Sequence, residues 1–503
     1  MYSQKIAGNA ASRPLNAKTG ITKQASFLHY LILPALIGAG TSLAAAGPTT
    51  QPSNAQLAAQ NAALEAKLSQ LEAKVDKLEN QQGQSQRQID QAIQEDVLKD
   101  AQAHSQFLST MGDNSVEGGY DPSLGFVIHS ADGEFSLHPG LIADFRWIAN
   151  YRQNVPTKYE GEVKQGGNDT QDGFDIGRLR LTFDGTLTHN IGYFVQFQDD
   201  QGQGFGLLDA YGTYHWDNSP WTVKAGQFKD PVWHERNLSE AKLLAVDRSI
   251  AEDLIGGGQT SRIQGLALLY QQDLLRAQVA IHDGFDSLNT KFYHQGGIGA
   301  GSGAGAGVTP TDFGVSGRGE YMLIGNKTPT FDPWTEYNQF SAYGDAQDIL
   351  VVGAGFDVSQ AGNNDVLFHT IDAQYDTASG WDFYGAYLGS YRDLHTNQGV
   401  TPGNYYDPGF VVQGGYLVTP KLEPFARYDY TYLAPGSLST GLNHTIQEMT
   451  IGANYYLWNQ NVKISLDGSW LPNGSPIDID SLGVLEDPHN NEFIVRGQFQ
   501  LAI

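Results

Sequence analysis

The chain of 503 residues contains no cysteine, 59 glycines, 11% aromatic residues and a formal net charge of −25, with a mean hydropathy of −0.35. Lack of cysteine excludes a disulfide framework and any thiolate metal site, and the acidic balance argues against nucleic acid as a partner, because phosphate backbones need a basic surface. Abundant glycine and aromatics at low hydropathy suit many strands and turns better than helical membrane spans.

Residues 1–46 carry Lys5, Arg13, Lys18 and Lys23 and no acid, then an apolar run from Phe27 to Leu43, then Ala44, Ala45 and Ala46 before Gly47. Basic head, apolar middle and small-residue exit predict an export signal peptide over 1–46. Pro34 and His29 weaken the apolar run and leave an uncleaved anchor as the alternative. From Ala55 the period changes: Leu57, Leu64, Leu71 and Leu78 recur every seven residues, with Leu68 and Val75 between them. This heptad seam predicts an oligomeric coiled coil with Asn61 buried on the seam, the number of chains left open. Coiled coil and polar linker together occupy 47–112, and a β-barrel occupies 113–503.

After a short hairpin-like pair, FVIHS to EFSLHPG, segments of about ten residues alternate apolar and polar side chains. They start near Leu141, Gly173, Asn190, Leu207, Trp221, Arg262, Leu274, Phe313, Asp348, Val366, Gly380, Pro408, Lys421, Ile446, Asn461 and Asn491. The expected fold class is therefore all-β, a transmembrane antiparallel barrel of about sixteen strands. Tight joints at Gln271–Asp273, Ala378–Ser379, Thr419–Pro420 and Asn459–Gln460 alternate with long connections at 152–172, 230–261, 284–312, 393–407 and 472–490. Short turns on one rim and long loops on the other are what insertion from one side produces. The connection from Gly325 to Gln347 breaks this rule and predicts a hidden element or a plug. The last strand, NEFIVRGQFQLAI from Asn491, is the candidate closing strand and should pair with the first, near Leu141 to Tyr151.

Parity assigns the two faces. Leu275, Ala277, Val279 and Ile281 share one side, while Arg276, Gln278, Ala280 and His282 share the other. Trp147, Trp216, Trp221, Trp381, Trp458 and Trp470 fall near strand ends, as do Tyr214, Tyr270, Tyr416 and Tyr455. Such girdles belong at membrane interfaces and favour a lipid-facing barrel over a soluble sandwich. The opposite face then inherits Asp144 with Arg146, Arg178 and Arg180 with Asp184, Lys224, Arg276, Arg318 with Glu320, Arg427 with Asp429, Lys463 with Asp467, and Arg496. Charges in spanning strands are tolerated where they line water or pair with one another, so a water-filled pore or a set of bracing salt bridges is expected. Arg178 and Arg180 have only Asp175 and Asp184 as local counter-charges and are read as leaving a positive field. The segment from Asp230 to Ser261, with an apolar middle at Leu243, Leu244, Ala245 and Val246 and a short amphipathic helix, is expected to fold inward and narrow the bore, an exposed rim loop being the alternative. The glycine-rich run at Gly296 to Gly307 reads as flexible linker. No G-x-S-x-G, H-E-x-x-H or P-loop string occurs, so neither an enzyme nor a cofactor or metal is expected.

The stretches GFDIGRLRLTFDGTLTHNIGYFVQF from Gly173, GQFKDPVWHERNLSEAKLLAVDRS from Gly226, TSRIQGLALLY from Thr260, GGYLVTPKLEPFARYDY from Gly414 and TIGANYYLWNQNVKISLDGSW from Thr450 resemble the phosphate-selective porin O and P family. The resemblance implies a homotrimer of sixteen-stranded barrels in the bacterial outer membrane, an inward-folded third loop, and passage of small anions. It also implies an anion path along the bore, carried to Arg178, Arg180, Lys229, Lys242, Arg248 and Arg262. Where the family often has two adjacent arginines in the second strand, this chain has Gly177 before Arg178. The expected function is diffusion of small hydrophilic solutes with a mild anion preference, phosphate or other oxyanions among them. The alternative is a structural envelope anchor whose coiled coil binds a periplasmic partner or the cell wall.

Overall fold

The computed structural model describes residues 117–121, 125–159, 162–199, 204–256, 261–284, 287–290, 297–298, 309–328, 331–395, 402–435, 444–475, 478–479, 482–487 and 490–503, with seven positions between 62 and 74. The signal segment and the seam leucines lie outside the described residues. The chain divides into two units, Met1–Met111 and Gly112–Ile503. In the first, Ala62, Ala66, Lys67, Ser69, Gln70, Ala73 and Lys74 are helical and exposed, and all seven are off the heptad seam.

The second unit opens with a hairpin, β1 (Glu117–Asp121) and β2 (Gly125–His129), followed by β3 (Ser136–Tyr159), β4 (Glu162–Thr188), β5 (Ile191–Asp199), β6 (Gly206–His215), β7 (Trp221–Lys229), β8 (Arg262–Gln272) and β9 (Leu275–His282). A two-residue pair, β10 (Gly297–Ile298) and β11 (Thr309–Pro310), precedes β12 (Phe313–Ile324), β13 (Ile349–Ala361), β14 (Asn364–Asp376), β15 (Trp381–Leu394) and β16 (Gly403–Tyr416). The chain ends with β17 (Leu422–Tyr432), β18 (Thr445–Trp458), β19 (Val462–Leu471) and β20 (Glu492–Ala502). Each wall strand pairs antiparallel with the next, and β9 crosses to β12. The last strand, β20, returns to β3 in the register Glu492↔Arg152 to Ala502↔Ile142. Reciprocal backbone hydrogen bonds between Leu141 and Ile503, 2.7 and 2.9 Å long, finish the seam. Sixteen strands, β3 to β9 and β12 to β20, thus form a closed wall without an edge.

The closing strand shows why these residues make a wall. Glu492, Ile494, Arg496, Gln498 and Gln500 point inward and are buried, while Phe493, Val495 and Phe499 point outward and are exposed. The outer surface is a continuous apolar band far larger than a soluble monomer presents, which is stable only against lipid. Its edges carry ring pairs: Trp381 stacks on Tyr416 at 4.3 Å, Trp221 meets Tyr270 at 4.9 Å, and Trp470 stacks on Phe493 at 6.0 Å.

Two expectations need correction. Residues 152–172 are not a loop, because β3 and β4 run on beyond the wall as a long hairpin that turns between Tyr159 and Glu162. The connection 230–261 carries helix α1 (His234–Asn237), a 3-10 turn at Glu240–Lys242 and helix α2 (Ile250–Gly256), and its apolar middle Leu243–Val246 runs between them as irregular backbone with bends from Leu244 on. On the loop rim, β13 and β14 are joined by only Gly362 and Asn363.

Candidate functional site

The connection from β7 to β8 folds into the barrel and is held there by apolar and ionic contacts. Val232 and Trp233 are buried against Phe368, and Leu243 and Leu244 against Tyr384, Val411 and Phe425 of the inner wall. Gly355 is required at the point of closest approach, since a Cβ there would stand 2.3 Å from the carbonyl oxygen of Val232. Asp247 accepts from Arg146 at 2.6 Å and from Arg178 at 3.2 Å, and Arg178 also donates to Asp144 at 3.0 Å. Gly177 explains the missing second arginine: a Cβ at that position would lie 2.4 Å from Nε of Arg146, whose side chain crosses the wall there to reach Asp247. Glu240 accepts from Arg180 and, at 2.7 Å, from Arg248.

The closing side of the barrel grips the same loop. Lys463 donates to the carbonyl of Leu243 at 2.7 Å, Arg427 to that of Asp247 at 2.8 Å, and Gln500 to that of Ala241 at 3.1 Å. The Val246 N–H donates to Asp467 at 2.9 Å, and Asp467 also accepts from Arg496 at 2.7 Å. Burial would raise the Asp247 carboxyl, but the surrounding arginines, Arg146 and Arg178 foremost, hold it down to about 2. Burial likewise opposes ionisation of Glu240, yet Arg180 and Arg248 hold it well below the ordinary carboxylate range. Both therefore stay ionised and paired at neutral pH. Arg178 and Arg180, expected to leave a positive field, are instead neutralised by carboxylates that the loop delivers.

A second insertion enters from the turn rim. In the connection 325–348, Asp332 caps helix α3 (Pro333–Tyr337) by accepting from the Trp334 N–H, with proline at the first helical position. The indole N–H of Trp334 donates to the Asp273 carbonyl at 2.8 Å. Tyr337 stacks on His234 of the first insertion at 4.1 Å, and the Phe340 N–H donates to the Lys242 carbonyl at 3.0 Å. Burial, with Arg318 nearby, pushes His234 down to about 4, so the stacked ring is neutral at pH 7. Arg276 sits over Trp334 and Tyr337 and pairs with Glu320, and Arg318 pairs with Asp372 at 2.6 Å. The expected hidden element and the expected plug are thus both present, and the two insertions meet inside the barrel.

The plug brings its own acids against acidic wall residues. Glu336 and Asp345 sit in the plug, while Asp376, Asp382 and Glu423 are buried on the wall and Ser341 of the plug donates to Glu423 at 2.8 Å. Burial raises Glu336 to about 7, and burial together with Asp376 raises Asp345 to about 9. Carboxyls raised in this way favour the docked state fully only below their ordinary values near 4, and that contribution is lost as pH rises through 7 to 9. Single-channel conductance is therefore expected to be larger at pH 9 than at pH 6 and to return on acidification; a conductance independent of pH over that range would remove this role from Glu336 and Asp345.

What stays open is a lumen cavity of about 550 Å³, reaching from Gly125 and Ile503 at the turn rim to Asn237 and Lys242 of the first insertion. Its charged lining comprises Arg180, Lys224, Lys229, Lys242 and His138 with Asp184, Asp209 and Glu240. Two of the acids are taken, Glu240 by Arg180 and Asp209 by Arg262 at 3.1 Å, and Asp184 shares a hydrogen bond of 3.2 Å with the His138 ring. The lysines are not. Lys224 lies 5.0 Å from the ring centres of Tyr211 and Phe228, and Lys229 donates to the Leu238 carbonyl at 2.8 Å. Among the described residues no carboxylate stands within ion-pairing distance of Lys224, Lys229 or Lys242. Of the basic residues singled out from sequence, the structure gathers Arg180, Lys224, Lys229 and Lys242 at the cavity. It places Arg146, Arg178, Arg248, Arg427, Lys463 and Arg496 beneath or within the first insertion, and Arg276 and Arg318 beside the plug. Sequence reading missed the inward rings Phe194 and Tyr211, although Tyr211 shares the parity of Asp209.

A closed antiparallel barrel with an apolar outer band, ring-lined edges and a charged cavity in its lumen is a membrane pore of the outer-membrane type. The family model described as phosphate-selective porin O and P matches residues 150–325, which favours an outer-membrane diffusion channel over an enzyme. Among curated proteins none matches. Among solved structures, an anion-selective porin from Comamonas acidovorans is similar at 12% identity, over 74% of this chain and 100% of that chain, with a TM-score of 0.49. The outer membrane channel DcaP of Acinetobacter baumannii is similar at 13% identity, over 73% and 97%, with a TM-score of 0.44. OmpF of Salmonella typhi, solved in complex with daunomycin, is similar at 14% identity, over 73% and 98%, with a TM-score of 0.44.

Proposed function

We propose that this chain forms an outer-membrane pore that passes small hydrophilic solutes with a mild anion preference, phosphate and other oxyanions among them. The observation that carries the preference is the set of three lysines, Lys224, Lys229 and Lys242, that line the cavity without a carboxylate partner while Glu240 and Asp209 beside them are paired with arginines. Ammonium groups left uncompensated in a confined, low-dielectric passage concentrate anions and repel cations. The arginines beneath the first insertion serve as bracing, and the passage runs along the side of β3 to β9. The family resemblance implies a homotrimer, and the seam spacing of the N-terminal heptads agrees with a periplasmic coiled coil whose number of chains it leaves open.

Reversal potential across a planar bilayer under a salt gradient tests the preference. The parent pore should be anion-selective at neutral pH, and changing Lys224, Lys229 and Lys242 together to Gln should shift the reversal potential toward zero. A cation-selective parent would refute the reading, and block of chloride current by added phosphate would identify phosphate as a bound solute.

A further inference from the structure

The lysines are only half of the cavity wall; the other half is aromatic, and its placement is unusual for a water-filled lumen. Phe194 on β5, Tyr211 on β6 and Phe228 on β7 are neighbours on the inner face. Phe194 and Tyr211 stack with ring centres 5.2 Å apart at 13°, and Tyr211 meets the edge of Phe228 at 6.3 Å and 86°. Phe228 is a core residue, buried against Ile263, Ala267 and Ala280. Phe194 and Tyr211 are only partly buried, and both line the cavity. Tyr211 packs on the Phe228 cluster with part of its surface, but the rest of its ring and that of Phe194 are left against the lumen, at a cost in free energy that polar side chains would avoid.

We infer that this cavity binds carboxylates that carry an aromatic body, the ring lying on Phe194 and Tyr211 and the carboxylate facing the lysines. This deepens the anion reading and rests on it. Lys224 shows how the two halves cooperate: its ammonium lies 5.0 Å from the centres of both Tyr211 and Phe228, so a charge for the carboxylate and a surface for the ring adjoin. A compact anion such as inorganic phosphate or acetate can use the ammonium groups but leaves the rings wet. A benzoate-like anion covers them and gains apolar burial that the small anion lacks.

The test is block of chloride current through the full-length pore in planar bilayers by benzoate, acetate and inorganic phosphate, each added alone. Benzoate is expected to block at about tenfold lower concentration than acetate. Tyr211→Leu and Phe194→Leu, with folding checked by the heat-modified gel mobility of the barrel, should bring benzoate down to the level of acetate. Lys224→Gln should weaken block by both. Equal block by benzoate and acetate in an anion-selective pore would overturn this inference alone, as would benzoate block unaffected by loss of the rings. A cation-selective pore would overturn the anion reading together with it.

Discussion

Replacing Asn326–Gln347 by a two-residue Asn-Gly turn should raise single-channel conductance by roughly twofold or more, because the plug fills the side of the lumen bounded by β12 to β19. The wall tolerates the deletion: β12 and β13 are paired up to Ile324↔Leu350, so a short hairpin turn can join them there. The loss is burial of Trp334, Tyr337 and Phe340, about 1.5–3 kcal/mol for each ring removed from its packing. That is small beside a closed ladder of sixteen strands. A conductance equal to that of the parent would show that ions never use this side of the barrel.

Asp247→Ala is expected to have the second largest effect, and in two directions at once. Removing the carboxylate takes from Arg146 and Arg178 their ionic link to the inward loop, leaving Arg146 its bond to the Val246 carbonyl and Arg178 its pair with Asp144. Breaking a buried pair from one side costs about 3–5 kcal/mol, since the remaining charge is left uncompensated. The folded barrel should therefore lose resistance to heat, seen as a lower temperature for the change in gel mobility. At the same time the lumen loses one negative charge, so the reversal potential should move further toward the anion side. An unchanged reversal potential would mean that the bracing network does not border the conducting path.

Much of the wall was legible in the sequence because the signal is local. Period-two alternation needs only the ten residues of one strand, so the starts read near Leu141, Gly173, Trp221 and Asn491 fall in β3, β4, β7 and beside β20. The partners of the inward arginines were not legible, because they come from far away in the chain. Arg146 finds Asp247 across 101 residues, and Arg180 finds Glu240 across 60. Local counting saw only Asp175 and Asp184 and assigned the positive field to arginines that the loop neutralises. The lysines to which we instead assign the field have other neighbours in space, rings around Lys224 and a carbonyl at Lys229. The outer hairpin of β3 and β4 escaped for a different reason: the sequence from Arg152 to Asp172 is mostly polar, bears glycines and lacks the alternation that marks the wall.

The first insertion also bears on how the barrel is completed. Its residues 241–247 are gripped by Arg146 on β3, Lys463 and Asp467 on β19, and Gln500 on β20, the strands on either side of the seam. The two edges that must meet are the most distant in sequence, and bringing them together carries the largest loop-closure entropy in the fold. A segment from the middle of the chain that bonds to both edges works as an internal splint, shortening that search. The width of the passage and the sealing of the wall are thereby inherited together, and a lineage that trims this loop for a wider bore also weakens the joint that makes it a barrel.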